Sequence, residues 1–251
     1  MAPTRSAEPV DLILHGGRVA LPGGVVEAAI AVRGERIVAV GEPDVLPPAR
    51  QYIDLSGKDV IPGAIDAHSH IGYDDWDSLS RCSAHGGLTT IITFVGDRRS
   101  EAGVGETIRQ NRAAVARDAV LDVAFHAFLY PRGDDPMTVL SGLADGVAEG
   151  VRSYKMFMAY PRDGRMCGDD FLFRAFRELT ALGALPMVHA ENGDLIDAIE
   201  ERLLAEGKTG FEYYHDSRPP AAEAEAIERA AALAAVASSP LYIVHLSTGL
   251  G

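Results

Sequence analysis

Val60-Ile61-Pro62-Gly63-Ala64-Ile65-Asp66-Ala67-His68-Ser69-His70 is an apolar run that ends in two histidines one residue apart. Alternate side chains of an extended strand point to the same side, so His68 and His70 would present two imidazoles together, as a chelating pair. We expect this strand to be buried on both faces. The C-terminal ends of such strands carry the active sites of (β/α) barrels, so the stretch predicts both the fold and a metal site.

From residue 60 onward, apolar runs alternate with helical patterns at a spacing near that of one β-α unit. The predicted strands are Val60–His68, Thr89–Val95, Leu121–Leu129, Val151–Phe157, Leu185–His189 and Leu241–His245. The predicted helices are Asp77–Ala84, Val104–Ala116, Met137–Glu149, Phe171–Leu182, Leu195–Ala205 and Ala221–Ala237. Apolar strands separated by helices indicate a parallel sheet covered on both sides. No Gly-x-Gly-x-x-Gly follows a strand, which argues against a dinucleotide-binding fold. Histidine and lysine side chains at or near the C-terminal ends of four of these strands favour a (β/α)8 TIM-type barrel, with about six strands present.

The first 58 residues have a different pattern of short strands and turns. The predicted strands are 11–14, 29–32, 36–40 and 52–55, with Arg33-Gly34-Glu35 as a hairpin connection. So thin a sheet needs a partner to cover its apolar face, so we expect the N-terminal strands of a small β-sandwich over residues 1–58 and an incomplete barrel over 59–251.

Composition and charge limit the partners and the cellular location that we expect for the protein. The chain has 251 residues, is 47% hydrophobic and carries a formal charge of −13. The negative charge argues against nucleic acid or an anionic membrane as a partner. The two cysteines form no motif, and no signal peptide or membrane-spanning run is apparent, so a reduced, cytoplasmic location is expected.

Ligand-type side chains fall near the C-terminal ends of four predicted strands: His68, His70, Lys155, His189 and His245. Imidazoles suit zinc or a similar divalent ion, in one closed site or in two open ones. Lys155 is costly on a buried strand unless it is paired, neutralised or modified. A carbamate on its amine could bridge two metals, and a salt bridge at the strand end is an equally good interpretation from the residues alone.

Several segments resemble the dihydropyrimidinase and hydantoinase family of cyclic amidohydrolases. They are Ile61–His70, Lys155-Met156-Phe157-Met158-Ala159-Tyr160, Val188-His189-Ala190-Glu191-Asn192-Gly193-Asp194 and Tyr242-Ile243-Val244-His245, with Asp74-Asp75-Trp76 and Gly86-Gly87-Leu88-Thr89-Thr90 close to two further family motifs. The resemblance covers residues from about 11 to the last one.

This resemblance implies a role for each matching residue. His68 and His70 would bind one zinc ion, His189 and His245 a second, and Lys155 would bridge them as N6-carboxylysine. A hydroxide held between the metals would open the cyclic amide bond of a hydantoin or dihydropyrimidine. Tyr160 would donate a hydrogen bond to the developing oxyanion, and Asp66 is expected to orient a ligand.

The segment after His70 bears on the substrate. Dihydroorotases have an arginine there and allantoinases usually have Asn-Glu-Pro nearby, whereas this chain has Ile71-Gly72-Tyr73. A neutral cyclic ureide is therefore favoured, with an allantoinase-like or dihydroorotase-like activity as the alternative. His15, His85 and His215 are expected to be non-catalytic, and a pocket role for His126 stays open. The loop Pro161–Gly168, which contains Cys167, could shape substrate choice.

Family members continue well beyond the position of Gly251. The resemblance therefore implies that two barrel strands, an aspartate ligand of the first metal and part of the small domain are missing. We expect a fragment or one half of a split enzyme, with impaired activity alone, acting as a homo-oligomer (a tetramer by resemblance) or with a complementing second half. A non-catalytic scaffold is the alternative from another class of protein.

Overall fold

The computed structural model describes residues 8–70, 75–96, 102–133 and 135–251. Their contacts divide the chain into two compact units, the first ending at Ala64 and the second beginning at Ile65. The sequence placed the boundary at residue 58. The difference arises because Asp59–Val60 pairs with Arg18–Leu21 as a strand of the first unit.

The first unit contains two small sheets. Its strands are β1 (Val10–His15), β2 (Arg18–Leu21), β3 (Gly24–Glu27), β4 (Ala29–Arg33), β5 (Arg36–Gly41), β6 (Ala49–Asp54) and β7 (Asp59–Val60), with a short 3₁₀ turn at Pro43–Val45. One sheet has the order β5-β4-β1-β6 and the other β3-β2-β7. The predicted hairpin is confirmed, since β4 and β5 pair antiparallel around Gly34, which has a φ of 58°. The β2–β3 hairpin was not predicted from the sequence.

The second unit has a six-stranded sheet with helices between the strands. Its strands are β8 (Ala64–Ser69), β9 (Leu88–Val95), β10 (Asp122–Phe128), β11 (Ser153–Phe157), β12 (Leu185–His189) and β13 (Tyr242–Ile243). Its helices are α1 (Trp76–His85), α2 (Val104–Asp118), α3 (Leu143–Ala148), α4 (Asp169–Ala181), α5 (Gly193–Ala205), α6 (Tyr214–Ser217) and α7 (Pro220–Ala237), with 3₁₀ turns at Pro136–Gly142 and Phe211–Tyr213. None of the helices in the described ranges is both long and apolar enough to cross a membrane.

The six strands lie side by side in sequence order, and β9 to β13 pair in parallel. The two outer strands of a flat six-stranded sheet would be roughly 24 Å apart, because neighbouring strands are about 4.8 Å apart. Yet the rings of His68 on β8 and His245 just after β13 have centroids 5.4 Å apart. The sheet is therefore strongly curled, which confirms the predicted barrel type with six strands present.

Helix α4 shows how the sequence produces the packing in this unit. Its buried residues Phe171, Leu172, Ala175, Phe176 and Leu179 recur at helical spacing and form one apolar face. The face packs into a core that includes Tyr154 and Met156 of β11. This packing covers the outward-facing side chains of β11 and its neighbours. Because side chains alternate along a strand, it also determines which side chains face inward.

Three sequence expectations for this unit need correction. The run Val60–His68 is not one strand, because Pro62 lacks a backbone donor and separates β7 from β8. β8 is an outer strand and is not buried on both faces, since Ile65 is 62% exposed. The predicted helix Met137–Glu149 is instead a 3₁₀ turn followed by the short α3, with Gly142 at the junction.

Candidate metal centre

The five predicted ligands lie on four strands of the curled sheet. His68 is the penultimate residue of β8 and His70 follows its end, Lys155 is the middle residue of β11, His189 ends β12, and His245 comes two residues after β13. Because the strands are parallel, these positions share the C-terminal edge of the sheet. Sequence order alone brings the donors to one side of the unit.

Interatomic distances show that the five side chains meet. The Nζ atom of Lys155 lies 3.3 Å from Nε2 of His68. The His68 and His70 ring centroids are 5.3 Å apart. His245 lies beside His68, and its Nε2 atom is 3.1 Å from Nδ1 of His189. All five predicted donors therefore form one continuous cluster.

Lys155 is 2% exposed and lies among three aromatic rings. Its Nζ atom is 4.6 Å from the ring centre of Phe94, 5.9 Å from that of Phe128 and 5.3 Å from that of Phe157. No carboxylate forms an ion pair with it among the described residues, so the salt-bridge interpretation finds no partner there. Burial lowers the pKa of Lys155 to about 8. A substantial fraction of the amine is thus neutral near physiological pH, the form that can react with carbon dioxide.

The neighbouring histidines are held in their neutral form. Burial, followed by the charge of Lys155, lowers the pKa of His68 to about 4. Partial burial lowers the pKa of His70, and the nearby Lys155 acts in the same direction. Partial burial and then His189 lower the pKa of His245. A neutral imidazole keeps a lone pair, which is what a metal ion requires.

Glu191 fixes the orientation of His189. One carboxylate oxygen of Glu191 accepts a hydrogen bond of 2.6 Å from Nε2 of His189, and this bond is the main reason that the pKa of Glu191 is lowered. With its proton on Nε2, His189 directs the lone pair of Nδ1 towards His245. A carboxylate on the second nitrogen is the usual support of a metal-binding histidine. The sequence analysis gave Glu191 no role, although a carboxylate two residues after a strand-end histidine was the available signal.

The imidazole donors fit divalent ions, with two imidazole nitrogens for each ion. Two nitrogens bound to one tetrahedral zinc ion are about 3.3 Å apart, because each Zn–N bond is about 2.0 Å long. The His189–His245 nitrogens, at 3.1 Å, have nearly this separation. Within the described residues, no group of three or more His, Cys, Asp or Glu side chains could hold an ion. Two imidazoles for each ion therefore need a further ligand, a place that a modified Lys155 can fill.

Tyr160 stands beside this cluster, three residues after β11. Its ring centroid is 5.1 Å from that of His189, and the Arg165 guanidinium carbon is 5.6 Å from the centre of the Tyr160 ring. Burial, assisted by Glu191, raises the pKa of Tyr160, so the phenol stays protonated and can donate. The backbone is left-handed here, with a φ of 64°, and His245 also has a positive φ of 38°. Such strain in non-glycine residues is concentrated at functional sites.

A cavity of about 560 Å³ opens next to His189 and His245. Its lining also includes Glu191, Tyr214 and Arg218. This is the size range of small-molecule sites in proteins. His215, predicted to be non-catalytic, lines the same cavity, so its position is closer to the cluster than the sequence indicated.

The other residues singled out in the sequence have contacts away from the donor atoms of the cluster or only indirect contact with it. Asp66 accepts a hydrogen bond of 2.9 Å from the backbone N–H of His68, so it supports that residue through the main chain. His126 contacts the Ser153 hydroxyl and the Ala67 carbonyl. Burial raises the pKa of the Cys167 thiol to about 12, so this thiol is unreactive. His15 stacks edge-on with Tyr52 in the first unit, and His85 is exposed at the end of α1.

Ile71-Gly72-Tyr73, which carried the argument about the substrate, and Asp74 lie outside the described residues. The described cations nearest to Tyr160 come from other segments, namely Arg165 and Arg218.

Known proteins resemble this chain in both sequence and structure. The chain is 33% identical over 246 residues to a D-hydantoinase of Ralstonia pickettii, covering 95% of this chain and 52% of that protein. It is 34% identical over 248 residues to a dihydropyrimidinase of Rattus norvegicus, covering 94% and 47%. A solved structure of D-hydantoinase superposes with a TM-score of 0.84 at 34% identity, covering 96% of this chain and 53% of that one. Over the part that it spans, the chain is a homologue of D-hydantoinases and dihydropyrimidinases.

The chain spans about half the length of the curated relatives it matches. An allantoinase of Solibacter usitatus is 35% identical over 261 residues, covering 96% of this chain and 53% of that protein. The similarity therefore extends to a relative that is named for a different substrate. No family model matches the sequence.

Proposed function

We propose that this chain supplies the metal-binding part of a cyclic amidohydrolase that opens hydantoin or dihydropyrimidine rings. The observation that carries the proposal is the continuous contact of four imidazoles and one buried amine at the C-terminal edge of a curled parallel sheet. The aromatic surroundings of the amine and the lowered pKa values of His68, His70 and His245 support it. The similarity to hydantoinases and dihydropyrimidinases supports the reaction class.

His68 and His70 would hold one divalent ion and His189 with His245 a second, with Lys155, carboxylated on Nζ, between them. Ions held there would supply a hydroxide nucleophile at neutral pH and would polarise the scissile carbonyl. Glu191 keeps His189 in the tautomer whose Nδ1 faces His245. The rings of Phe94, Phe128 and Phe157 keep water away from the Lys155 amine.

In the reaction, an oxygen from water bonds to the ring carbonyl carbon and the ring C–N bond breaks. The departing nitrogen takes a proton, and the product is an N-carbamoyl amino acid or ureido acid with a new carboxylate. Tyr160, kept protonated by burial, donates a hydrogen bond to the oxygen that gains negative charge before the C–N bond breaks. The phenol carries no charge itself, so it is not attracted to the ions.

Metal analysis and an assay of ring opening together test this function. The purified chain should bind zinc-type ions, approaching two per chain once Lys155 is carboxylated, and should open hydantoin or dihydrouracil alone or with a chain that supplies the remaining barrel strands. The His189→Asn variant should lose ions, and His85→Asn, which changes an exposed histidine on α1, should not. A chain that binds no divalent ion in the presence of bicarbonate contradicts the proposal and favours a scaffold.

The oligomeric state and the cytoplasmic location stay predictions. A homo-oligomer or a complementing second half are both compatible with the proposed chemistry. Size-exclusion chromatography with light scattering, run with and without the complementing chain, separates them.

A further inference from the structure

Arg218 is a partly buried cation that the proposed reaction does not use. It follows the short helix α6, and its side chain is 17% exposed. The guanidinium carbon lies 4.8 Å from the centre of the Tyr214 ring, and Nη2 is 3.5 Å from a carboxylate oxygen of Glu200. Two further nitrogens, Nε and Nη1, are buried and have no hydrogen-bond partner among the described residues.

An unsatisfied buried donor is costly, and more so when it belongs to a charged group. Such groups are rare in native proteins and call for a partner. The other carboxylates of the neighbourhood are engaged elsewhere. Glu191 is bonded to His189, and Glu223 accepts the backbone N–H groups of Ser247 and Thr248. Among the described residues, the side chain of Tyr214 accepts a hydrogen bond from the guanidinium, and Nε and Nη1 are left without an acceptor.

The cavity beside the histidine cluster provides the place for such an acceptor. Arg218 lines it together with His189 and His245. The charge of Arg218 also acts on Glu191 and on Tyr160. A ligand in this cavity would thus contact the cluster at one end and the guanidinium at the other.

We propose that Arg218 binds a carboxylate group of the ligand in this cavity. The inference rests on the proposed function, because it assigns the group that a cyclic ureide would carry away from the scissile carbonyl. Guanidinium–carboxylate hydrogen bonds are charge-assisted and are the pairing that arginine geometry favours. The new carboxylate of the product would form at the carbonyl that the ions polarise, so the group at Arg218 is an acidic substituent that the substrate already carries.

Direct binding separates this inference from the hydrolytic function. Calorimetric titration of the zinc-loaded and the metal-free chain would use N-carbamoylglycine, hydantoin-5-acetate and unsubstituted hydantoin. Arg218→Gln should weaken binding of hydantoin-5-acetate about tenfold or more, since two charge-assisted donors are lost, and should change hydantoin affinity less than twofold. N-carbamoylglycine, whose carboxylate would lie at the ions, should keep its affinity, and an equal loss for this ligand would contradict the assignment.

Two further variants keep the test independent of folding. Arg218→Lys retains the charge, and its affinity for hydantoin-5-acetate should fall between those of wild type and Arg218→Gln. Arg229→Gln removes the same charge on α7, where it pairs with Glu225 and Asp169 outside the cavity, and should leave all three affinities unchanged. The inference is overturned if hydantoin-5-acetate does not bind the wild-type chain at millimolar concentration, or if Arg218→Gln weakens hydantoin and hydantoin-5-acetate equally. Absence of ring opening with retained Arg218-dependent carboxylate binding would contradict only the hydrolytic function.

Discussion

The Nζ atom of Lys155 lies 3.3 Å from Nε2 of His68, although the two residues are 87 positions apart in the sequence. No carboxylate pairs with the amine in the described part of the chain. Burial lowers the pKa of both groups, so each favours its uncharged form. An amine and an imidazole held together in this way are suited to share a cation or a carbamate, and less suited to stabilise the metal-free fold.

Lys155→Met should stabilise the metal-free chain. The lysine pKa of about 8 in the folded state lies below its usual 10.5, so the unfolded chain binds the extra proton between these pH values. The wild-type free energy of unfolding therefore falls as the pH drops from 10.5 to 8, and the full penalty is present below pH 8. We expect a gain of about 1–3 kcal/mol at pH 7 that disappears by pH 10.5.

Urea unfolding in carbon dioxide-free buffer at several pH values measures this effect. Lys208→Met is the matched control, because Lys208 is a surface residue paired with Glu206, and should change stability little. A destabilised Lys155→Met variant at pH 7 would show that the amine has a structural partner.

Acid should weaken the metal-free fold through His68. Its pKa is about 4 in the folded state and 6.5 ordinarily, so the unfolded chain takes up a proton first. The stability associated with neutral His68 is complete above pH 6.5 and is lost as the pH falls towards 4. Allowing for partial solvent access, we expect a loss of roughly 1–2 kcal/mol. Thermal unfolding from pH 7.5 to 4 should have a shallower pH dependence in His68→Gln, whereas His85→Gln should follow wild type.

Glu191→Gln should weaken metal binding without unfolding the chain. The amide can still occupy the space but binds the His189 Nε2–H less strongly, so the ring loses orientation and basicity. Loss of such a supporting carboxylate typically costs 10–100-fold in metal affinity. Competition with a zinc chelator measures the change. Glu201→Gln, at an exposed pair with Arg162, should retain wild-type affinity, and equal affinities for the two variants would exclude the supporting role.

Gly193→Ala should disturb the segment that carries Tyr160. A Cβ atom at Gly193 would lie 2.8 Å from the Cα atom of Ala159, a backbone atom that can move only with its strand end. We expect a loss of about 1–3 kcal/mol in the free energy of unfolding. Gly168→Ala, where nothing lies within 4 Å of the added atom, is the control. Unaltered stability in Gly193→Ala would mean that the backbone after β11 shifts at little cost to make room for the added Cβ atom.

Tyr160→Phe should lower kcat for ring opening by about 10²-fold, as for loss of one oxyanion donor, and leave zinc content unchanged. The assay needs whichever form of the protein proves active, alone or complemented. Tyr213→Phe, outside the cluster, controls for loss of a hydroxyl. An unchanged kcat in Tyr160→Phe would remove the tyrosine from the proposed chemistry.

Much of the second unit follows from local pattern. Leu185–His189 was predicted with the bounds that the structure has, because it is short, apolar and flanked by clear helix signals. Parallel strands then bring their last residues to one edge, so the grouping of His68, Lys155 and His189 needs only strand order. The β2–β3 hairpin was missed because its strands are only four residues long and β3 begins with a glycine.

Other features depend on packing that no local pattern encodes. Arg218 lies in a loop without periodicity, and its approach to the histidine cluster depends on how α6 packs near α5. The break between β7 and β8 has a local signal in Pro62 and Gly63, and it was missed because the residues around them form an apolar run. The exposure of β8 likewise depends on its place at the edge of the sheet, which its sequence does not state.

The left-handed backbone at Tyr160 and His245 limits which amino-acid substitutions are informative at these two positions. Valine, isoleucine and threonine would each add steric conflict at a positive φ, whereas asparagine tolerates it and glycine removes it altogether. Saturation mutagenesis there would therefore report backbone tolerance mixed with chemistry. Comparing each variant with the glycine variant at the same position, after measuring its folding, would separate the two contributions.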